Sequence, residues 1–240
     1  MRYTESIRVN SHDTDARGIV RPSALLRYMQ EAANLQMHTL GPSNESLWDN
    51  GYAFLLSRIE LHVARDLTAY ETVTVQSWAC ESRGSRFLRC GRILAEDGTS
   101  VAEVTGVWAL KDTKTGRFLV NGELAMGFTP EEPLPDFALP RLREPKATMA
   151  PCGTFVVPYT AIDRNHHMNN TFYPDLFFGA LPDFSHLRLR RMLLDYRTEA
   201  RFAQTLTVSC APDGENRYFL LARHADGTVC AAASMEVERR

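Results

Sequence analysis

DARGIVRPSALLRYMQEA (residues 15–32) and DRNHHMNNTFYPDLFFGA (residues 163–180) align without a gap at an offset of 148 residues. Each opens on an aspartate, passes through a short polar turn and becomes an apolar segment ending in Glu-Ala or Gly-Ala. Two further blocks repeat in the same order. RIELHVARDLTAYETVTV (58–75) lies over RMLLDYRTEARFAQTLTV (191–208) at an offset of 133, and Asp97-Gly98-Thr99 lies over Asp226-Gly227-Thr228 at 129. The falling offset means shorter connections in the second copy, and loops are where a chain tolerates deletion. Identity within each block is low, but three blocks in one order identify an internal duplication.

Within each copy the hydrophobic period changes from that of a helix to that of strands. Leu25, Leu26, Met29, Ala32, Ala33, Met37 and Leu40 recur at helical spacing. Pro22 suits a first turn and Gly41 a stop, so the spacing predicts a helix over 22–40. Strand-forming runs follow at 52–64, 71–80, 86–95 and 100–110, the last two joined by the Asp97-Gly98 hairpin turn. The second copy repeats the plan, with an apolar helix near 170–181 and strands near 189–198, 204–211, 217–224 and 228–237. Pro174 is tolerated only near a first turn, so that helix starts no earlier than Asn169 or Asn170. A helix apolar on nearly every side is buried. Each copy is therefore expected to be an α+β unit, an antiparallel sheet wrapped around a long central helix. Five of the twelve prolines fall in residues 127–150 (Pro130, Pro133, Pro135, Pro140 and Pro145). That composition predicts an extended surface linker, with an N-terminal domain over 1–126 and a C-terminal domain over 151–240.

Bulk properties narrow the function classes. A formal charge of −2 excludes a strongly basic nucleic-acid binder. An apolar fraction of 44% and a charged fraction of 23% are those of a globular protein. No apolar run approaches a membrane span, and MRYTESIRVN at the N-terminus lacks a signal-peptide pattern, so a cytoplasmic location is expected. Cys80, Cys90, Cys152, Cys210 and Cys230 are scattered, with no C-x-x-C pair, which points to reduced thiols.

The copies diverge at the polar turn. Asp163, Asn165 and His167, followed by Met168-Asn169-Asn170, stand at the head of the second helix, where the first copy has Asp15, Arg17 and Ile19. A helix start offers free backbone N–H groups and a positive dipole end, which suit a carbonyl oxygen becoming an oxyanion. Asn165 can donate from its amide and His167 from its ring, while Asp163 can orient the imidazole. On the strand that follows, Glu199 matches Asp66, and a carboxylate there can activate water as a general base. The same residue types also cap helices and shape turns, so spacing alone leaves both readings open. His166 reads as a surface or supporting residue. No metal is expected, because beyond Asp163 nothing nearby completes a ligand set.

DRNHHMNN before an aromatic-rich helix resembles the D-x-N-x-H-x-N-N motif of the acyl-acyl carrier protein thioesterases, found in plant plastids and many bacteria. LLDYRTEA (193–200) resembles the family's segment with its acidic residue, and LSRIELHV (56–63) one of its strands. The resemblance spans nearly the whole chain. It implies a double hotdog fold, thioester hydrolysis by water, no cofactor, and acyl carrier protein as acyl donor in fatty acid biosynthesis. Carried over by position, Asp163, Asn165, His167 and Glu199 form the catalytic set. Ala200 stands where many plant members place a cysteine, so a cysteine nucleophile at that position is impossible here. The implied attack is by water activated by Glu199, with Asn165 and His167 polarising the thioester.

By the same resemblance the first copy holds the acyl chain, with Leu26, Met29, Ala33, Met37, Phe54 and Leu56 as candidates; ordinary core is the competing reading. Acyl carrier proteins are acidic, so Arg188, Arg190, Arg191 and Arg201 are candidates for docking. An acyl-CoA thioesterase, a hotdog hydratase or dehydratase, and a non-catalytic acyl-binding protein are the alternatives. Monomer and homodimer both fit.

Overall fold

The duplication in the sequence is also a duplication in space. The computed structural model describes residues 1–240. The chain divides into two compact units, Met1–Val20 with Ala24–Leu139, and Arg21–Ser23 with Pro140–Arg240.

The first unit contains β1 (Tyr3–Arg8), α1 (Pro22–Leu40), α2 (Asn44–Asp49), β2 (Tyr52–Val63), β3 (Thr72–Ala79), β4 (Phe87–Ala95) and β5 (Ser100–Asp112). Its strands form an antiparallel run in the order β1-β3-β4-β5-β2. α1 covers the predicted residues, and its apolar stripe is buried: Ala24, Leu25, Leu26, Met29, Ala32, Ala33 and Met37. Arg27, Glu31 and His38 on its other side are exposed, the pattern of a helix with one face on a sheet. Gln36 is the polar exception, fully buried and hydrogen-bonded through Nε2 to the Met1 carbonyl at 2.6 Å.

The opposite face of this sheet carries Trp78, Cys80 and Cys90, packed by Leu134 and Phe137 from the proline-rich stretch. Trp78 Nε1 donates to the Glu132 carbonyl at 3.0 Å, and Leu134 and Leu139 are buried. Up to Leu139 this stretch is thus a strap across the first sheet. From Pro140 onward it belongs to the second unit, where Leu142 and Met149 pack against Phe219, Leu221 and Ala232.

The second unit contains β6 (Ala150–Val156), α3 (Tyr173–Gly179), β7 (Leu187–Tyr196), β8 (Thr205–Pro212), β9 (Arg217–Arg223) and β10 (Val229–Arg239). The strands run antiparallel in the order β7-β10-β9-β8-β6. Each unit is a hotdog, a sheet closed over a helix. The two hairpin turns are the same object twice: Thr99 N donates to Asp97 Oδ1 and Thr228 N to Asp226 Oδ1, both at 2.9 Å.

The structure departs from expectation in three places. The second helix is short, one 3-10 turn over Asn170–Phe172 and then seven residues, because Pro174 confines it to its first turn and Pro182 lies just beyond Gly179. Two strands, β1 and β6, went unread. Both lie at sheet edges, where YTESIR carries little apolar signal and APCGTFV tolerates Pro151 and Gly153 because half its backbone needs no partner. The short α2, capped by Ser43 through its bond from Ser46 N at 3.1 Å, is the third.

Candidate active site

The Asp163–His167 segment is a tight turn closed by a bridge between Ile162 and Met168. Asp163 N donates to the His167 carbonyl at 3.1 Å, and His166 N to the Asp163 carbonyl at 3.0 Å. His166 takes a left-handed φ of 63° to allow this, and its side chain is exposed. The Asp163 carboxylate accepts from Asn165 N at 2.9 Å and from Asn169 Nδ2 at 3.2 Å. Asn169 Oδ1 in turn accepts from Thr171 N at 2.9 Å and Thr171 Oγ1 at 2.7 Å, capping the 3-10 turn that leads into α3.

The first unit contains the same turn. Thr14 bridges Val20, Asp15 N donates to the Ile19 carbonyl at 2.7 Å, and Gly18 N donates to the Asp15 carbonyl at 2.9 Å. Arg17 N donates to Asp15 Oδ1 at 2.8 Å, as Asn165 N does to Asp163. Gly18 holds the left-handed position, φ 76°, that His166 holds in the second unit. The aspartate therefore builds the turn in both copies, whatever chemistry stands on it.

What differs is what the turn presents. In the first unit the Arg17 side chain folds back on Asp15, Nε to Oδ2 at 2.8 Å, and Ile19 offers only hydrocarbon. In the second unit the Asn165 side-chain amide makes no hydrogen bond within the chain. His167 places Nδ1 at 3.3 Å from the Met168 carbonyl and 3.9 Å from Asp163 Oδ1, with its side chain 12% exposed. A carbonyl can only accept, so Nδ1 carries the proton in that bond. A neutral His167 then has its lone pair on Nε2, which makes no hydrogen bond within the chain. The turn thus exposes an unengaged amide donor beside an unengaged imidazole acceptor, the minimum needed to hold a carbonyl oxygen and orient a water.

Glu199 does not lie on the strand, as expected, but in the loop after β7. Met168 N donates to the Ala200 carbonyl at 2.7 Å, which fastens this loop to the motif; Val20 N to the Leu67 carbonyl at 2.8 Å is the same bond in the first unit. Cys230 on β10 anchors the loop from behind. Its carbonyl accepts from Arg197 N at 3.0 Å and Thr198 N at 3.1 Å, and its Sγ donates to the Thr198 carbonyl at 3.3 Å. Tyr173 Oη lies 3.2 Å from the same Sγ, and Tyr196 Oη donates to the Asn170 carbonyl at 2.9 Å, tying α3 to β7 and β10. Burial raises the pKa of Tyr173 and of Tyr196, so both phenols stay neutral. Burial also raises the Cys230 thiol. Glu199 itself is 49% exposed, and its nearest cation is Arg201 at 3.5 Å. The supporting roles of Cys230, Tyr173 and Tyr196 were not read from the sequence, since each depends on contacts across strands.

A family model for the acyl-ACP thioesterase N-terminal domain matches residues 1–123, and one for the C-terminal domain matches residues 146–237. The chain belongs to the acyl-ACP thioesterase family. Solved structures agree on the fold. A 12:0-ACP thioesterase from Umbellularia californica superposes with a TM-score of 0.87 at 20% identity, covering 100% of this chain and 98% of that one. An acyl-ACP thioesterase from Bacteroides thetaiotaomicron gives 0.85 at 20% identity, covering 99% and 98%. A MaoC-like dehydratase from Phytophthora capsici gives 0.60 at 13% identity, covering 100% and 96%, so the fold alone does not decide the reaction. A comparison with curated proteins finds no match.

The other residues singled out in this family member divide clearly. Leu26, Met29, Ala33, Met37 and Leu56 are buried and Phe54 is half-buried, all in the first unit. The arginines do not form one patch. Arg188, Arg190 and Arg191 lie in the first half of β7, whereas Arg201 lies beyond its far end, and ten strand residues span roughly 33 Å. Arg188 and Arg191 face Glu238 and Glu236 of β10 in register, and Arg190 Nε donates to Glu238 at 2.6 Å. No helix of the chain is long and apolar enough to cross a membrane.

Proposed function

We propose that this thioesterase releases free fatty acid from acyl carrier protein in fatty acid biosynthesis, using the Asp163–Asn170 turn and the Glu199 loop as its active site. The observation that carries this reading is the comparison of the two turns. Both have the same backbone and the same aspartate, and only the second presents unengaged groups of catalytic type. The Asn165 amide holds the thioester carbonyl oxygen. The Glu199 carboxylate takes a proton from water, whose oxygen forms the new bond to the carbonyl carbon, and charge accumulates on the oxygen at Asn165. Collapse breaks the C–S bond, and the proton on Glu199 passes to the departing thiolate. His167, with Nδ1–H committed to Met168, supports this through Nε2 by accepting the other hydrogen of the attacking water. This assigns it an acceptor's role rather than the carbonyl-polarising one first expected. Asp163 acts as a positioning residue. The acyl chain lies against the α1 stripe of the first unit, at Leu26, Met29, Ala33, Met37, Phe54 and Leu56.

The test is release of fatty acid from C8 to C18 thioesters of acyl carrier protein and of CoA. Wild type is expected to hydrolyse the carrier-protein esters. Asn165→Ala should lose about 10²–10³-fold and Glu199→Gln about 10²–10⁴-fold, with His167→Ala also impaired and unfolding curves unchanged. Faster turnover of the CoA esters would move the assignment to an acyl-CoA thioesterase. A folded wild type silent on both panels would leave an acyl-binding protein.

A further inference from the structure

The two copies share a backbone plan but differ in polarity at three positions packed beside the proposed site. At the offsets of the repeated blocks, Leu25, Val63 and Val101 of the first copy correspond to Tyr173, Tyr196 and Cys230 of the second. Leu25, Val63 and Val101 are buried hydrocarbon. The backbone closes the same way in both copies: Ala64 N donates to the Val101 carbonyl at 2.9 Å, and Arg197 N to the Cys230 carbonyl at 3.0 Å. The second copy thus carries two phenols and a thiol where the same fold closes with aliphatic side chains. A polar group in such a place costs stability unless it is hydrogen-bonded.

All three are bonded, and each bond leads to the proposed site. The Cys230 Sγ–H donates to the Thr198 carbonyl at 3.3 Å. A thiol has one proton, so at the 3.2 Å contact with Tyr173 the phenol donates and Sγ accepts. Burial raises the pKa of both groups, which keeps these protons in place. The Tyr173 ring meets that of Tyr196 edge-to-face at 5.3 Å, and Tyr196 Oη donates to the Asn170 carbonyl at 2.9 Å. A continuous path therefore runs from the peptide before Glu199, through Cys230, Tyr173 and Tyr196, to Asn170 at the end of the Asp163–Asn170 turn. The Thr198 carbonyl and the Glu199 N–H share one rigid peptide plane, so holding the carbonyl sets the direction in which Glu199 leaves the loop. The Glu199 side chain is 49% exposed with Arg201 at 3.5 Å, an ion pair too open to water to hold it firmly.

We propose that Cys230 and Tyr173 are positioning residues that hold the Glu199 loop in place relative to the Asp163–Asn170 turn, acting through the Thr198 peptide. This rests on the assignment of Glu199 as general base. It also gives the buried thiol a purpose other than attack, since its proton is committed to a carbonyl. Misplacing a reacting group by about 1 Å can cost about 10²-fold in rate. Loss of this sulfur-mediated link should therefore appear in kcat rather than in binding.

The experiment is a double-mutant cycle on hydrolysis of a carrier-protein thioester by the full-length chain. kcat and KM are measured for wild type, Cys230→Val, Cys230→Ser, Tyr173→Phe, Glu199→Gln, and Glu199→Gln combined with Cys230→Val. Cys230→Val installs the side chain that the first copy carries at this place. Its kcat is expected to fall about tenfold with KM within about twofold of wild type, and that of Tyr173→Phe about threefold. Cys230→Ser keeps a donor and should recover most of the rate. In the Glu199→Gln background Cys230→Val should have no further effect, because the carboxylate that it positions is gone. The same proportional loss in both backgrounds, as a general weakening of the fold would produce, would overturn the proposal. So would a Cys230→Val enzyme with wild-type kcat. Should Cys230→Val fail to fold, Tyr173→Phe takes its place in the cycle. If Glu199→Gln keeps full activity, the general-base assignment falls and the proposal with it. If Glu199→Gln is impaired and the cycle is additive, the general base stands and the positioning role falls alone.

Discussion

Replacing Asp163 with alanine removes the acceptor for Asn165 N at 2.9 Å and for Asn169 Nδ2 at 3.2 Å. Each bond is worth about 1–1.5 kcal/mol in a partly exposed position, so the ordered turn should weaken by about 2–3 kcal/mol. At about 1.4 kcal/mol per tenfold, kcat/KM should fall by up to about 100-fold under the proposed mechanism, which needs Asn165 and His167 held in place by the turn. The milder Asp163→Asn keeps an oxygen for Asn165 N and loses only the Asn169 partner, costing about 1 kcal/mol or five- to tenfold. The matched experiment is Asp15→Ala, which removes bonds from Arg17 N, Ile19 N and the Arg17 side chain in the first unit. It should lower stability by about 3–4 kcal/mol and leave kcat unchanged. Steady-state hydrolysis with urea unfolding of the three variants decides the matter. If Asp163→Asn is as inactive as Asp163→Ala while unfolding like wild type, the turn-building argument is refuted. The negative charge acting on His167 from 3.9 Å would then be what counts.

Three further outcomes follow from the same geometry. Burial pushes Asp15 up, but the Arg17 side chain and the N–H groups of Arg17 and Ile19 outweigh it and hold the carboxyl below its usual range. A depressed folded-state pKa stabilises above the unfolded value of about 3.9 and is lost as pH falls through the folded one, so Asp15→Asn should flatten the decline of Tm between about pH 5 and pH 2. His166→Val places a β-branched residue at φ 63° and should cost about 1–2 kcal/mol, measured by urea unfolding, whereas His166→Gly should retain activity; a stable valine variant would show that the turn is not held left-handed. Cys152 is the one exposed cysteine, so iodoacetamide should alkylate it first without loss of hydrolysis; tenfold inactivation tracking that single modification would contradict attack by water.

Much of the fold was legible because its signals are local. The 22–40 helix is written in its own spacing and bounded by Pro22 and Gly41, and the Asp97 and Asp226 turns each satisfy themselves within three residues. The duplication was legible for a related reason: three blocks in one order survive changes in loop length. The Asp163–His167 motif could be found as residue types, but the arrangement of its side chains could not. That Asp163 builds the turn while the Asn165 side-chain amide and His167 Nε2 stay unengaged emerges only beside the Asp15 turn. Glu199 was misplaced onto a strand because RTEA continues an apolar run whose end is set elsewhere, by Cys230 on β10 and by Met168 N reaching the Ala200 carbonyl. The edge strands β1 and β6 carry little apolar signal, since one side of each needs no partner. That Arg89 shares a face with Gln36 and Ser77 depends on the register of β4 in its sheet, where a shift of one residue would send it to the opposite face. Composition and period are properties of a segment and can be read along it. Register and cross-strand hydrogen bonds belong to pairs of distant segments, and only the folded chain determines them.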